Sequence, residues 1–175
     1  MQQQQSNYEQ ARAVSQQFFS AADCGELIQK LNKELTPIIQ TQQNNEYRSV
    51  HVRDIDIDEI PRLKNVVLSA NDQIFKFELY NDTVDCFFAQ YSEGMHYDQL
   101  HLDCIAGELQ RKLSFSLLLT DDFVGGDFEL IMPPSIEKLA GKLIVFPSYL
   151  PHRVTRVTQG VRYAIFGWFY GPQYR

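Results

Sequence analysis

From Ile74 onward the chain is a succession of short β-prone segments, and this succession limits what it can fold into. Apolar and aromatic residues cluster over 74–80, 86–92, 113–120, 127–132, 142–147, 152–157 and 161–170. Gly, Asn, Asp and Pro separate the segments, which is the chemistry of turns. That many short strands must stack or curl to bury their apolar faces, which predicts a sandwich or barrel. The first third reads differently. Ala11, Val14, Phe18 and Phe19 fall at helical spacing and predict a helix from Tyr8 to about Ala22. Asp23 is placed to cap a second helix carrying Leu27, Ile28, Leu31 and Leu35, with a boundary at Pro37. Residues 40–48 read as loop. Val50, Val52, Ile55 and Ile57 come near strand alternation, and Asp58 would cap a third helix to Leu68 with Pro61 in its first turn. The glutamine-rich residues 1–7 have nothing to bury and read as disordered. The class is α+β, with helices packed outside a sheet structure. A single domain spans 1–175: a disordered tip and helices over 1–48, then the β core over 49–175.

Within the β-rich part lie His101-Leu102-Asp103, a second histidine at His152 and an arginine at Arg162. Two histidines and one carboxylate can hold one face of a non-haem Fe(II) and leave the other positions open. Residues two apart on a strand project from one face, so His101 and Asp103 can reach one metal while Leu102 points away. His96-Tyr97-Asp98 is a rival His-x-Asp, without a strand signal of its own. His51, in an alternating segment, reads as structural, Cys104 as small core packing, and Asp121-Asp122 as a solvated turn. Pro133-Pro134 reads as a loop stop, and Gly125-Gly126 as a turn that needs positive φ.

Composition narrows the function. Acidic residues number 22 against 16 basic, a net charge of -6, which argues against general nucleic-acid binding. No apolar run approaches a membrane span, and the polar N-terminal residues lack a signal-peptide core. Cys24, Cys86 and Cys104 are odd in number and show no C-x-x-C spacing, so a disulfide framework or zinc ribbon is not expected. A cytoplasmic protein with reduced thiols is the simplest reading.

These motifs fall in a recognisable series. A YxxG segment at Tyr91–Gly94 precedes His101-Leu102-Asp103. An R-x-x-S stretch from Arg111 enters an apolar strand. Gly125-Gly126, then GKLIVFPS leading to His152, then RYAIFGW from Arg162 complete the series. Over about 86–170 the chain resembles the iron(II)/2-oxoglutarate-dependent oxygenases, in their prolyl-4-hydroxylase-like branch. The resemblance implies a double-stranded β-helix, the jelly-roll barrel, with the N-terminal helices outside it. It implies Fe(II) and 2-oxoglutarate as cofactors, with ascorbate as a reductant. His101, Asp103 and His152 become iron ligands. Arg162 becomes the partner of the far carboxylate of 2-oxoglutarate, a task that suits a guanidinium fork. Tyr91 lines the cosubstrate pocket, and Ser114 is the small hydroxyl near it. The implied reaction hydroxylates an unactivated C–H bond of a prolyl or other amino-acid side chain, in a peptide or protein or free, and releases succinate and carbon dioxide. The partner is then a small molecule or peptide, met through Tyr91–Leu100 and the Asp121–Gly126 turn, with no nucleic acid, no membrane and no oligomeric state implied. The spacing from Tyr97 to His101 departs from the branch's pattern by one residue.

Two other classes compete. A cupin-like jelly-roll metalloenzyme without 2-oxoglutarate would have no need of a buried Arg162. A non-catalytic binding module would be free to lose one of the three ligands. Geometry sets a further expectation. If 152–157 and 161–170 form one antiparallel hairpin, a three-residue loop at Thr158-Gln159-Gly160 puts His152 and Arg162 on one face. The same register brings Arg156, the competitor of Arg162, opposite it on that face.

Overall fold

The computed structural model describes residues 13–42, 45–104, 109–131 and 136–173. Along the chain come β1 (Val14–Gln17), α1 (Ala21–Leu31), β2 (Thr36–Gln42), β3 (Asn45–Asp54), α2 (Pro61–Ala70), β4 (Tyr80–Tyr91) and β5 (Tyr97–His101). Then follow β6 (Gln110–Leu118), β7 (Val124–Gly125), β8 (Phe128–Leu130), β9 (Lys142–Pro147), β10 (His152–Val154), β11 (Val157–Gln159) and β12 (Arg162–Gly171). Seven strands make the major sheet in the order β1-β9-β6-β12-β4-β3-β2, and β5-β10-β8 and β11-β7 make two small sheets. The jelly-roll expectation is met as facing sheets that are not hydrogen-bonded into a closed barrel.

The period-2 alternation of the strands builds two layers on either side of the major sheet. Phe88 on β4, Leu113, Phe115 and Leu117 on β6, and Ile165 and Phe169 on β12 pack with Leu31, Leu63 and Val67 of the helices. The residues between them turn the other way: Ala89 and Tyr91, with Phe87 and Phe166, pack with Val154 and Val157 of the small sheets. The polar members of that inner face, among them Ser114, Ser116 and Arg162, are thereby walled in between sheets.

Several expected elements change. The predicted helix from Tyr8 is a strand where it is described: Val14 pairs with Val145 and Gln17 with Lys142. The unpaired backbone edge of β9 outweighs a weak helical spacing. Residues 8–12 and the polar tip 1–7 lie outside the described residues, as does Pro133-Pro134. Asp23 is not the cap of α1. Ser20 is, and the two form a capping box, with Ser20 Oγ accepting from the Asp23 amide and the Asp23 carboxylate accepting from the Ser20 amide, worth about 1 kcal/mol.

The loop expected at 40–48 is the β2–β3 hairpin. The described residues of that stretch, 40–42 and 45–48, are polar apart from Tyr47, so no apolar alternation shows there in the sequence. Both β1 and β2 precede residue 49, so the sheet begins well before the β core expected at 49–175. Of the strand expected at 74–80, Ile74 and Phe75 end a π turn that starts at Asn71, 76–79 are irregular, and β4 starts only at Tyr80. Buried Asn71 holds the turn by donating to the Phe77 carbonyl and accepting from the Phe77 amide. Pro61 does open α2, and Gly125 and Gly126 do take positive φ, at 71° and 59°.

The hairpin expected between 152–157 and 161–170 does not exist. The first segment splits into β10, which pairs with β5 and β8, and the start of β11, which pairs with β7. β12 pairs instead with β4 and β6. Thr158 and Gln159 therefore belong to a strand, and the chain crosses between sheets at Gly160, with φ of 82°. His152 and Arg162 come from opposite sheets and face each other across the interior.

Candidate active site

Three metal-ligating side chains meet where the small sheet faces the large one. His152 opens β10 and pairs directly with His101 at the end of β5. Directly paired residues share a face, so both imidazoles enter the same interior. Asp103 follows two residues later and is fixed through its backbone, its amide donating to the Ser148 carbonyl at 2.9 Å. One donor atom from each of the three lies within 4.8 Å of the others. His152 Nε2 stands 3.3 Å from Asp103 Oδ2 and His101 Nε2 stands 3.9 Å from Oδ1.

The tautomers favour this use. Nδ1 of His101 lies 2.9 Å from the Gln99 carbonyl and Nδ1 of His152 lies 3.0 Å from the Leu150 carbonyl. A carbonyl only accepts, so both Nδ1 atoms carry protons and both Nε2 lone pairs face the centre. Burial, and then the neighbouring His152, push the His101 imidazole down to about 4, so it is neutral and ready to ligate at pH 7. Phe146 and Phe128 pack on the His152 ring at 4.9 and 5.5 Å.

Ser114 stands behind Asp103 and not on the cavity wall expected for a cosubstrate contact. Its Oγ donates to Asp103 Oδ2 at 2.7 Å and meets Ser148 Oγ at 2.9 Å. The reason lies in register, since Ser114 sits on the inner face of β6 beneath the carboxylate. Ser114→Ala should leave the fold intact and weaken metal binding roughly tenfold or more, as loss of a ligand's hydrogen-bond partner does. Chelator competition measures this, and an unchanged affinity would show that the serine does not orient the carboxylate.

The opposite wall holds Arg162 and Tyr91, directly paired between β12 and β4. The guanidinium carbon lies 5.2 Å from the Tyr91 ring centroid. Arg162 is 2% exposed, and its Nε is buried without a hydrogen-bond partner. No carboxylate pairs with it among the described residues. Burial lowers its pKa, although Tyr91 and Asp127 act the other way. Gly126 makes room for it: a Cβ there would lie 3.2 Å from Arg162 Cδ and 2.8 Å from the Phe123 ring. One cavity is lined by His101, Asp103, His152, Tyr91 and Arg162 together.

The rival His96-Tyr97-Asp98 is elsewhere engaged. His96 is fully buried, with Nδ1 3.0 Å from Asp98 Oδ1. Arg156, which the expected hairpin register would have brought to the cavity's far rim unless it twisted outward, lies against the Gly94 carbonyl and His96 and does not line the cavity. Cavity residues that the sequence did not single out include Arg48 and Trp168, and Tyr97 was noted only for its spacing and its place in the rival motif. Tyr97 stacks on His101 with centroids 3.6 Å apart, and Arg111, known only as part of a motif, lies 3.6 Å over Trp168. The His-to-Tyr97 spacing was visible, but Arg48 fell in a stretch read as loop.

Comparison with known proteins agrees with this geometry. Residues 86–170 match the family model described as the 2OG-Fe(II) oxygenase superfamily. A PKHD-type hydroxylase of Rippkaea orientalis is 34% identical over 127 residues, 66% of this chain and 57% of that protein. One from Parvibaculum lavamentivorans is 40% identical over 87 residues, 46% of this chain and 39% of that protein. The chain thus spans about half the length of the curated relatives it matches. Among solved structures, a Pseudomonas putida prolyl-4-hydroxylase superposes with a TM-score of 0.73 at 24% identity, covering 92% of this chain and 93% of that one. A Trichoplax adhaerens prolyl hydroxylase, solved with a hypoxia inducible factor peptide fragment, gives 0.72 at 19% identity, covering 95% and 89%. The matched segment begins in β4 and ends in β12, and so encloses all three clustered donors and Arg162. Over 86–170 the chain is similar to the 2OG-Fe(II) oxygenase superfamily, and its fold is that of the prolyl-4-hydroxylases.

Proposed function

We propose that the protein is an Fe(II)- and 2-oxoglutarate-dependent hydroxylase, with His101, Asp103 and His152 holding the metal and Arg162 receiving the far carboxylate of 2-oxoglutarate. The observation that carries this reading is the buried Arg162 guanidinium, which has no carboxylate partner among the described residues and opens onto the cavity of the three donors. A protein that buries an uncompensated cation without a ligand for it would be destabilised for nothing. A dicarboxylic cosubstrate spanning from the donors to Arg162 removes that anomaly. The bound metal and cosubstrate supply oxygen activation coupled to decarboxylation, with succinate, carbon dioxide and a hydroxylated C–H as products.

The chain's own residues place and shield that chemistry. His101 and His152 present unprotonated Nε2 atoms, and Ser114 holds Asp103 in one orientation. Phe128, Phe146 and Phe166 give the cavity apolar walls that keep water from the reacting centre. Tyr91 lies against Arg162, its hydroxyl pKa raised by burial, and so stays neutral beside the carboxylate. The substrate is a prolyl or other amino-acid side chain, in a peptide or free. The peptide complex of the Trichoplax adhaerens neighbour supports that substrate class.

Anaerobic titration tests the reading. A weak visible absorption band should develop only when Fe(II) and 2-oxoglutarate are both present. A site that gives the same spectrum with and without 2-oxoglutarate would support the cupin-like alternative.

A further inference from the structure

The cavity contains a second cation that the proposed chemistry leaves unused. Arg48 lies on β3, with its guanidinium carbon 4.8 Å from the centroid of Tyr97. Tyr97 stacks on His101, so only one ring separates Arg48 from the donor cluster. The Nε of Arg48 is buried and without a hydrogen-bond partner. Among the described residues no carboxylate pairs with it.

The neighbouring acids are already committed. Glu46, two residues away on the same strand, lies 3.5 Å from His96. Asp98 lies 3.0 Å from His96 and 3.7 Å from Arg156. Asp85 holds Arg111 at 3.3 Å, and Asp103 is occupied by Ser114 and the two imidazoles. Of the three guanidinium groups lining the cavity, Arg111 is paired, Arg162 is assigned to the cosubstrate, and Arg48 has the Tyr97 ring but no carboxylate among the described residues. Leaving a buried donor unsatisfied is costly, and an aromatic face beneath a guanidinium fixes the plane of its fork. That fork then opens to the cavity, where it can accept a carboxylate through two parallel bonds.

We propose that Arg48 binds a carboxylate of the substrate, so that the preferred substrates carry a negative charge beside the reacting carbon. This deepens the function proposed above and rests on it. The carboxylate could come from an acidic neighbour in a peptide, or from the α-carboxylate of a free or C-terminal residue.

The test uses the full chain loaded with Zn(II), which has no redox chemistry, and saturated with 2-oxoglutarate so that Arg162 is occupied. N-acetylproline and N-acetylprolinamide are titrated in while the Arg48 Nε–H resonance is followed by NMR. The acid should bind about tenfold more tightly than the amide, the worth of a charge-assisted hydrogen bond, and should shift that resonance. Arg48→Gln should abolish the difference between acid and amide while 2-oxoglutarate still binds, and Arg48→Lys should restore part of it. A packing role under Tyr97 would not discriminate acid from amide. Acetyl-Pro-Asp-amide against acetyl-Pro-Asn-amide then separates a side-chain carboxylate from a terminal one. The inference is overturned if neither pair shows an acid preference with wild type, if the preference survives Arg48→Gln, or if no acid moves the Arg48 signal. Should 2-oxoglutarate fail to bind the wild type, the hydroxylase reading falls and this inference with it. Should it bind without any acid preference, only the role of Arg48 falls.

Discussion

Asp103→Ala should strip the protein of its metal while leaving its far-UV circular dichroism unchanged. Asp103 is the only anionic donor of the cluster and is 7% exposed. Losing a mere hydrogen-bond partner of a ligand costs about 10- to 100-fold in affinity. Losing the anionic ligand itself should exceed about 100-fold, and turnover should fall to background. The fold should survive because Asp103 sits at a chain crossing fixed by backbone bonds to Ser148, which the substitution keeps. Asp103→Asn separates charge from shape: the amide still fits beside Ser114 but brings no negative charge to the metal. Wild-type iron affinity in Asp103→Ala, measured by chelator competition, would remove the centre from these residues. It would not pass to Asp98, whose carboxylate is held by His96.

Arg162→Met should move two measurements in opposite directions. Two charge-assisted hydrogen bonds to the cosubstrate, at about 1.5–3 kcal/mol each, disappear. The affinity for 2-oxoglutarate should therefore drop roughly a hundredfold or more, with Fe(II) binding kept. Meanwhile the ligand-free protein should become more stable, because an unpaired buried cation is replaced by an apolar chain of similar reach. Replacing buried ionic groups by well-packed apolar ones is neutral to stabilising by about 1–4 kcal/mol, which shifts Tm upward by several degrees. Thermal melting without ligand reads the second effect and 2-oxoglutarate titration the first. A lower Tm together with unchanged cosubstrate binding would make Arg162 a structural residue. The paired outcome would show stability surrendered for a binding site, as functional groups often require.

Sequence carried the site further than it carried the fold. His101, Asp103 and His152 could be singled out because few residue types ligate a metal, and their donor atoms do cluster, whereas Arg162 was marked by the family resemblance of the strand it opens. The core strands β6, β9 and β12 are legible for a related reason, since burial on both faces leaves long apolar runs. What failed was wherever partners decide. β1 and β2 carry Ser, Thr and Gln, and only the neighbours β9 and β3 make them strands. The route that brings His152 and Arg162 together was misjudged because adjacency in sequence suggested a hairpin. In this fold successive strands change sheets, and the pairing partners of β12 lie in β4 and β6. Ser114 shows the same limit on a smaller scale: its hydroxyl was noticed, but whether it faces a cosubstrate or a carboxylate depends on what the loop at Asp103 lays over it.

The pairing of β1 with β9 has a consequence for how the chain comes together. Val14 pairs with Val145, so their contact closes about three quarters of the chain into one loop. Such long-range pairing is entropically late. During synthesis Val14–Gln17 emerges long before Lys142–Pro147 and must wait unpaired. A strand that waits is a hazard when it is apolar, since its open backbone edge invites other chains. Ser15, Gln16 and Gln17 are all exposed in the finished sheet, so the waiting segment offers little apolar surface. The polarity that hid β1 from a reading of the sequence is the same property that lets it remain unattached until its partner arrives.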